Sequence, residues 1–564
     1  MTPLTESTYP AGVSLLAPAI ESQLKRLAEL NFVERFNQRD VSLWIANKAE
    51  QDEVAHRLGW LDAADNGAQV VRDAEKLLKE VLSEGFTHAV VLGMGGSSLA
   101  PEVYSEFMTS PGEDKNAYLV LSILDSTSPE QILRLQERIP IDKTLFIVSS
   151  KSGSTVEVNT LLAYFWEKVS EVDAENTGKH FVAISDPGTQ LQKVAAGKGF
   201  RKSFEADPNV GGRYSALIAF GLVPAVLAGY DGKTLLSQSL KLSNMPIRID
   251  DGGVQLGVVL GAAYASGRDK LTLLADAPVE ALGSWIEQLV AESSGKEGKG
   301  IIPVDVEPLF SLEDYSNDRL FIYLRADGHF DSRASELSAS NQPVFTCRMP
   351  ELYDLAAEFY RWEVAITVAC ILLGVNAFNQ PNVQESKDIA KQMLNVLKAG
   401  DELKINEPIW QDDTLALYGE TAHNHSNVQA YMKDFIAQAK PGDFIALNAF
   451  IERNEDNELR LDELRRHLTR ATQLPTTLGF GPRFLHSTGQ LHKGGENNGL
   501  YIVISQDETH TADIPGEGIS FNNLIFAQAL GDTQALESHK RRVIRLHFAK
   551  GSFNKTKLTD LFRL

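Results

Sequence analysis

Two Gly/Ser-rich turns and four well-placed ionisable residues carry the chemistry that this 564-residue chain offers. In the stretch 146–159, FIVSSKSGSTVEVN, the apolar run 145–148 ends abruptly in Ser149, Ser150, Lys151, Ser152, Gly153, Ser154 and Thr155, and helical character starts near Val156. A buried strand, a turn of small residues and a helix entrance together present backbone N–H groups, hydroxyls, one lysine and the positive end of a helix dipole, which suits a phosphate. The competing reading is an ordinary Ser/Thr helix cap with Glu157 closing a capping box. A second turn of the same kind lies upstream. There the strand 88–92 runs into Gly93, Gly95, Gly96, Ser97 and Ser98 before a helix begins near Pro101. Glycines let the backbone approach a ligand closely. The turn lacks the third glycine of a dinucleotide fingerprint, although Asp125 at the end of the next strand keeps a nucleotide in play.

The ionisable candidates follow in chain order. Arg213 sits in DPNVGGRY, at the entrance of the apolar helix 216–227. It is either a solvated surface group or a planar fork for an oxyanion. Glu292 ends the predicted helix 280–291, just before a Gly-Lys turn, where the helix dipole disfavours a negative charge. A misplaced charge points to function, and a solvated glutamate is its alternative. The loop 376–387, NAFNQPNVQESK, places Gln380 near a helix entrance and Lys387 about two turns in. His486 follows a strand end and precedes Gly489, either presenting its ring at a sheet rim or hydrogen-bonded on the surface. His423 and His425 lack further metal ligands, and no metal is expected. With a sugar phosphate held by the turns, one carboxylate, one arginine, one lysine and one histidine form the set that aldose–ketose isomerisation needs. A carboxylate moves the proton α to a carbonyl, a cation stabilises the enediolate and a separate acid–base group opens the ring. That chemistry requires no cofactor.

The elements that must position these groups alternate. Helical stripes (Leu24, Leu27, Leu30, Phe32; Leu77, Leu78, Val81, Leu82) fill 1–85 as an N-terminal helical segment. Strands at 88–92, 117–124, 144–148 and 180–185, each followed by a helix, predict a doubly wound parallel sheet over 86–240, with ligands beyond the carboxyl ends of the strands. The stretch 230–255 reads as irregular. Strands at 271–275, 320–324 and 344–347 and a long helix at 353–375 give a second α/β lobe over 241–400, and 401–564 reads as an α/β section completing that lobe. The fold class is therefore α/β, two doubly wound parallel-sheet lobes with flanking helices.

Bulk properties narrow the partners. A net charge of −21 disfavours nucleic acid and anionic membranes, both of which need a basic face, but leaves room for an anionic small substrate in a locally positive pocket. Cys347 and Cys370 sit in apolar runs and imply no disulfide framework. The first sixteen residues lack the basic start of a secretory leader, and the longest apolar run, 364–375, is too short to span a bilayer. A soluble cytoplasmic protein is expected.

The pieces VLGMGGSSLAPEV, VSSKSGSTVE, VGGRYSALIAFGLVP, AESSGKEGKG, NAFNQPNVQESK and LHSTGQLHKGG, taken together, resemble the glucose-6-phosphate isomerase family, built on two sugar-isomerase (SIS-type) lobes. The resemblance covers about 86–387 and again 479–536. It implies that Glu292 shuttles the C1/C2 proton, that Arg213 stabilises the enediolate, and that Lys387 and His486 serve ring opening and substrate positioning. By the same resemblance Gly96, Ser97, Ser150, Lys151, Ser152, Thr155 and Gln380 hold the substrate, mainly its phosphate. The family pattern also implies a homodimer in which the histidine reaches the neighbouring site. In compact bacterial members the His-Ser-x-Gly-Gln element precedes the Asn-Pro-Phe-Asp-Gln-Pro loop. Here HSTGQ follows the loop by about a hundred residues, an order that resembles the isomerase part of fused transaldolase/isomerase proteins. His492 is accordingly a rival to His486. The loop itself has Ala377 and Asn379 in place of the proline and aspartate. The other classes left open are a non-catalytic SIS-type sugar-phosphate sensor and a related SIS enzyme acting on mannose 6-phosphate.

Overall fold

The computed structural model describes residues 11–107, 117–401, 403, 405–420 and 423–563. Residues 1–10, on which the reading of the N-terminus as lacking a leader chiefly rests, lie outside the described residues. The chain divides into two compact units. The first comprises 1–125, 139–306 and 319–380, and the second 126–138, 307–318 and 381–564.

The first unit holds two parallel sheets. One consists of β1 (His88–Gly93), β2 (Val120–Leu124), β3 (Thr144–Ser149), β4 (Phe181–Ser185) and β5 (Lys202–Glu205), in the order β2-β1-β3-β4-β5. β1 and β3 are apolar almost throughout because helices cover both faces of the sheet. They pair in register, with Gly93 beside Ser149, so the Gly/Ser turns that follow them leave the sheet side by side. The order reverses between β1 and β3, and such a switch point opens a crevice at the carboxyl ends of the strands. The second sheet consists of β6 (Lys270–Ala275), β7 (Ile302–Val304), β8 (Arg319–Arg325) and β9 (Val344–Arg348), in the order β7-β6-β8-β9. Its switch point lies between β6 and β8, and the protein's own carboxylate occupies it. Asp276 accepts hydrogen bonds from the backbone N–H of Gly328 (2.7 Å) and Ala326 (2.9 Å) and from the Tyr323 hydroxyl (2.8 Å).

The region 230–255, expected to be irregular, is largely helical: Gly232–Ser243 is one helix and Gly252–Ala265 the start of the next packing layer. Gly253, Gly257 and Gly261 recur every four residues on one face and let that helix lie against Asp354–Leu373. A Cβ on Gly257 would come within 2.5 Å of the Ala365 carbonyl oxygen. The three glycines are what close packing demands here. The helix Asp354–Leu373 ends at Gly374 in the left-handed conformation (φ 71°).

The second unit carries β10 (Trp410–Gln411), β11 (Leu415–Gly419), β12 (Phe444–Phe450), β13 (Thr476–Phe480), β14 (Gly499–Gln506) and β15 (Arg542–Phe548), in the order β10-β11-β15-β14-β12-β13. β11 runs antiparallel to β15 and β10 antiparallel to β11, whereas β12 to β15 are parallel. The section 401–564, expected to complete the second lobe, thus builds a six-stranded sheet of its own. The physical reason is that β12 is buried along its whole length and gathers a separate core of Leu447, Leu461, Leu464, Leu468, Ile502 and Leu546.

Between β12 and β14 the strand order reverses a third time. Glu452 and Glu508 follow those two strands, and the helix Pro129–Arg138 closes on them. Arg134 pairs with Glu452 at 2.6 Å. Glu130 accepts from the backbone N–H of Thr509 (2.6 Å) and His510 (3.0 Å). Burial, with the hydrogen bond and negative charge of Glu130 added, pushes the Glu508 carboxyl up to about 10, so Glu508 carries the proton and Glu130 the charge. A carboxyl raised on folding contributes stability that is complete below the ordinary carboxylate pKa and declines as pH rises towards 10. Glu508→Gln replaces the carboxyl O–H donor with an amide N–H donor that does not titrate. The variant should match the parent in thermal melting at pH 5 and melt about 2–4 °C higher at pH 9. An equal shift at both pH values would contradict the shared proton.

Candidate active site

The first Gly/Ser turn touches a second turn from elsewhere in the first unit. Gly96 lies so close to Gly212 that a Cβ would fall 1.9 Å from its carbonyl oxygen, and Ser215 donates to the Gly96 carbonyl at 3.3 Å. The contact fixes the short turn Gly212–Tyr214 at the sheet's carboxyl rim and aims Arg213 inward, 3% exposed. Its guanidinium is fully engaged. Nε donates to Ser293 Oγ (2.8 Å), one terminal nitrogen to Gln380 Oε1 (3.1 Å) and the other to the carbonyls of Ala377 (2.6 Å) and Asn379 (3.2 Å).

Glu292 lies 3.4 Å from Arg213 and is 13% exposed at its side chain. It occupies the last turn of the helix Leu282–Ser294, and Gln288, one turn earlier, donates to its other oxygen at 3.2 Å. The sheet switch point, Gly96, Arg213, Glu292 and Gln380 therefore form one continuous set within the first unit. Ser97 is buried in the same turn.

The Ser150–Thr155 turn leads directly into a helix entrance. Thr155 is the N-cap residue of the helix Val156–Val172, yet its side chain makes no capping bond and instead meets Ser150 Oγ at 3.0 Å. The capping-box alternative is thus not realised, and the first-turn N–H groups of this 17-residue helix receive no side-chain cap from Thr155. Ser152 is exposed and pairs with Ser154 at 3.0 Å. Lys151 departs from expectation. Its ammonium is held by both carboxylate oxygens of Asp186 at 2.6 and 2.8 Å, so it braces the turn between β3 and β4 and is not a free cation.

Lys387 and His486 belong to the second unit. Lys387 is exposed and sits in the first turn of the helix Gln384–Lys398, one turn earlier than expected, because the helix starts three residues before it. Among the described residues it makes no ion pair. That helix packs on Phe521–Ser538, where Gly531 admits Ser386 and Ala390 closely. His486 is half-buried in the short turn Arg483–His486 beyond β13. Asn382 and Gln490 exchange two hydrogen bonds, at 2.8 and 2.9 Å, which ties the end of the 376–387 loop to the HSTGQ segment. His492 is 3% exposed, lies against Phe484 and Tyr501, and is pushed well below the usual imidazole range by burial and the neighbouring Lys493. Of the two histidines, His492 is buried and His486 half-buried.

Residues that sequence reasoning passed over include Ser293, Gln288 and Lys296, all part of the Glu292 helix or its exit. Their signal was the unbroken small and polar run ESSGK after an apolar helix. Among the described residues no three His, Cys, Asp or Glu side chains gather as a metal site.

The sequence profile of the phosphoglucose isomerase family matches residues 46–297, a span that contains the first sheet, both turns, Arg213 and Glu292. Glucose-6-phosphate isomerase of Campylobacter jejuni is 25% identical over 396 residues, covering 62% of this chain and 95% of that one. The enzyme of that name from Methanocaldococcus jannaschii is 26% identical over 401 residues, covering 63% and 96%. Among solved structures, a hypothetical protein from Thermus thermophilus shares the fold with a TM-score of 0.57 at 23% identity, over 68% of this chain and 99% of that one. The phosphoglucose isomerase profile ends at residue 297, so the Gln380 loop, Lys387 and His486 lie beyond the matched span.

Proposed function

We propose that this chain belongs to the phosphoglucose isomerase family and interconverts glucose 6-phosphate and fructose 6-phosphate through an enediol(ate). The single observation that carries the reading is the Glu292–Arg213 pair, set 3.4 Å apart beside the Gly96 turn at the switch point of the first sheet. The phosphate sits on the open helix entrance with Ser150, Ser152 and Thr155, and the sugar extends along Gly96 and Ser97 towards Arg213 and Gln380. Lys151 acts here through Asp186, by holding the turn in shape. In the open-chain aldose the Glu292 carboxylate takes the proton from C2. The electron pair flows into the carbonyl, and the charge that develops on oxygen is met by the Arg213 guanidinium. Transfer of a proton between the two oxygens and return of the carried proton to C1 complete the ketose. His486 and Lys387 open and position the ring. We assign the active form to a homodimer, with His486 serving the partner's site, and the location to the cytoplasm. No helix among the described residues is long and apolar enough to cross a membrane.

Fructose 6-phosphate supplied to the purified protein, with glucose 6-phosphate read by an NADP-linked dehydrogenase in the presence of EDTA, tests the reading directly. Turnover is expected, and mannose 6-phosphate run alongside fixes the sugar range. Binding without turnover would move the protein to the sensor class. Within the same assay, Ser152→Ala with Thr155→Ala should raise KM by about tenfold or more with kcat within about twofold, as loss of binding shared by ground and transition state does. A selective fall in kcat would remove these hydroxyls from the role of phosphate anchors.

A further inference from the structure

We propose that Lys296 is a positioning residue, whose amine ties the carbonyl end of the Glu292 helix to the loop carrying Gln380 and so holds the Glu292 carboxylate against Arg213. The inference rests on the isomerase reading for its catalytic consequence and on geometry for the rest. Lys296 is 2% exposed, which is rare for a lysine. Its Nζ donates to the carbonyl of Glu292 itself at 3.1 Å and to the carbonyl of Asn379 at 2.8 Å. The Asn379 carbonyl also accepts from Arg213 at 3.2 Å. Lys296 and Arg213 therefore grip one carbonyl from two sides, and the loop cannot shift without moving both.

The helix context gives the amine a second effect. Glu292 stands at the carbonyl end of its helix, where the dipole opposes a carboxylate. An N–H donor on the Glu292 carbonyl offsets that opposition at its source. Burial, reinforced by the charge of Arg213, lowers the Lys296 amine well below its usual range. An amine with two N–H groups satisfies both carbonyls and leaves no donor unpaired, so the geometry suits the uncharged form. The charged or titratable groups that face it are Arg213, Glu292, Glu297 and Cys370.

The test compares Lys296→Met, which keeps length and loses the donors, with Lys296→Gln, which keeps N–H donors. Three readouts are taken: kcat, competitive inhibition by inorganic phosphate, and amide hydrogen exchange. Lys296→Met should lose about 10–100-fold in kcat, the scale on which a displacement of about 1 Å acts. Phosphate inhibition should stay unchanged and amides at 293–297 and 376–380 should exchange faster, with those at 149–156 unaffected. Lys296→Gln should recover part of the loss. Unchanged kcat in Lys296→Met overturns the proposal. So does a parallel loss of kcat and phosphate affinity with faster exchange throughout the first sheet, because that is the mark of a residue serving packing alone. If the parent protein binds phosphate but does not turn over, the isomerase reading fails, and the exchange pattern decides the positioning claim on its own.

Discussion

Glu292→Gln lowers kcat by about 10²–10⁴, the range expected when a general base is removed, and leaves sugar-phosphate affinity within a few-fold of the parent. The substitution is nearly isosteric, and the amide oxygen can still accept from Gln288, whose Nε2 lies 3.2 Å from Glu292 Oε2. The amide nitrogen beside Arg213 loses the attraction now present at 3.4 Å. The Ser150–Thr155 turn follows β3 and, among the described residues, makes no hydrogen bond to the Glu292 helix, so phosphate binding and chemistry should separate. Steady-state kinetics together with calorimetric binding of fructose 6-phosphate distinguish the two. A variant that turns over at near-parental rate removes Glu292 from the role of base. If exchange of the substrate's C2 proton into solvent persists, another carboxylate must carry it.

Arg213→Lys should lower kcat by about 10²–10³ although the charge is kept, a cost typical of losing an oxyanion donor. Lysine offers a point charge on a flexible stem, whereas the guanidinium reaches Ser293, Gln380, Ala377 and Asn379 at once from a fixed plane. The variant also loses stability, since the charged guanidinium's hydrogen bonds to Ser293, Gln380 and Ala377 are lost, each worth about 1.5–3 kcal/mol. Both effects are measurable, and their order matters. If a melting curve shows a folded protein at assay temperature and kcat is still within a few-fold of the parent, Arg213 serves to hold the 376–380 loop and the enediolate is stabilised elsewhere.

Much of this arrangement was legible because it is local. A strand that ends in Gly-x-Gly-Gly-Ser-Ser or in Ser-Ser-Lys-Ser-Gly-Ser announces its own turn, and two such turns on a parallel sheet must share a rim. Glu292 stood out because a charge contradicted a helix dipole. What could not be read was anything set by a distant partner. Lys151 in sequence is a cation in a phosphate-friendly turn, but Asp186, at the end of the next strand in space, claims it. The start of the helix Gly252–Ala265 fell in the stretch 230–255 read as irregular, and the reason for its glycines lies on the helix Asp354–Leu373, about a hundred residues away. The separate C-terminal sheet was missed for the same cause: a short run of buried strands reads alike whether it joins an existing sheet or founds a new one.

The parallel strands of the three sheets share one order, and each sheet has a crevice at its reversal point. In two of them the protein supplies its own anion, Asp276 in the second sheet and the Glu130–Glu508 pair, with Glu452, in the third. In those two sheets the reversal point is filled by side chains of the folded chain itself. The first sheet has Ser/Thr hydroxyls and an uncapped helix entrance at the same place. A phosphate arriving there completes a pattern the other two sheets complete by themselves. Ligand-linked stabilisation, which follows from binding to the folded state alone, is therefore concentrated in the first sheet and the turns that flank it.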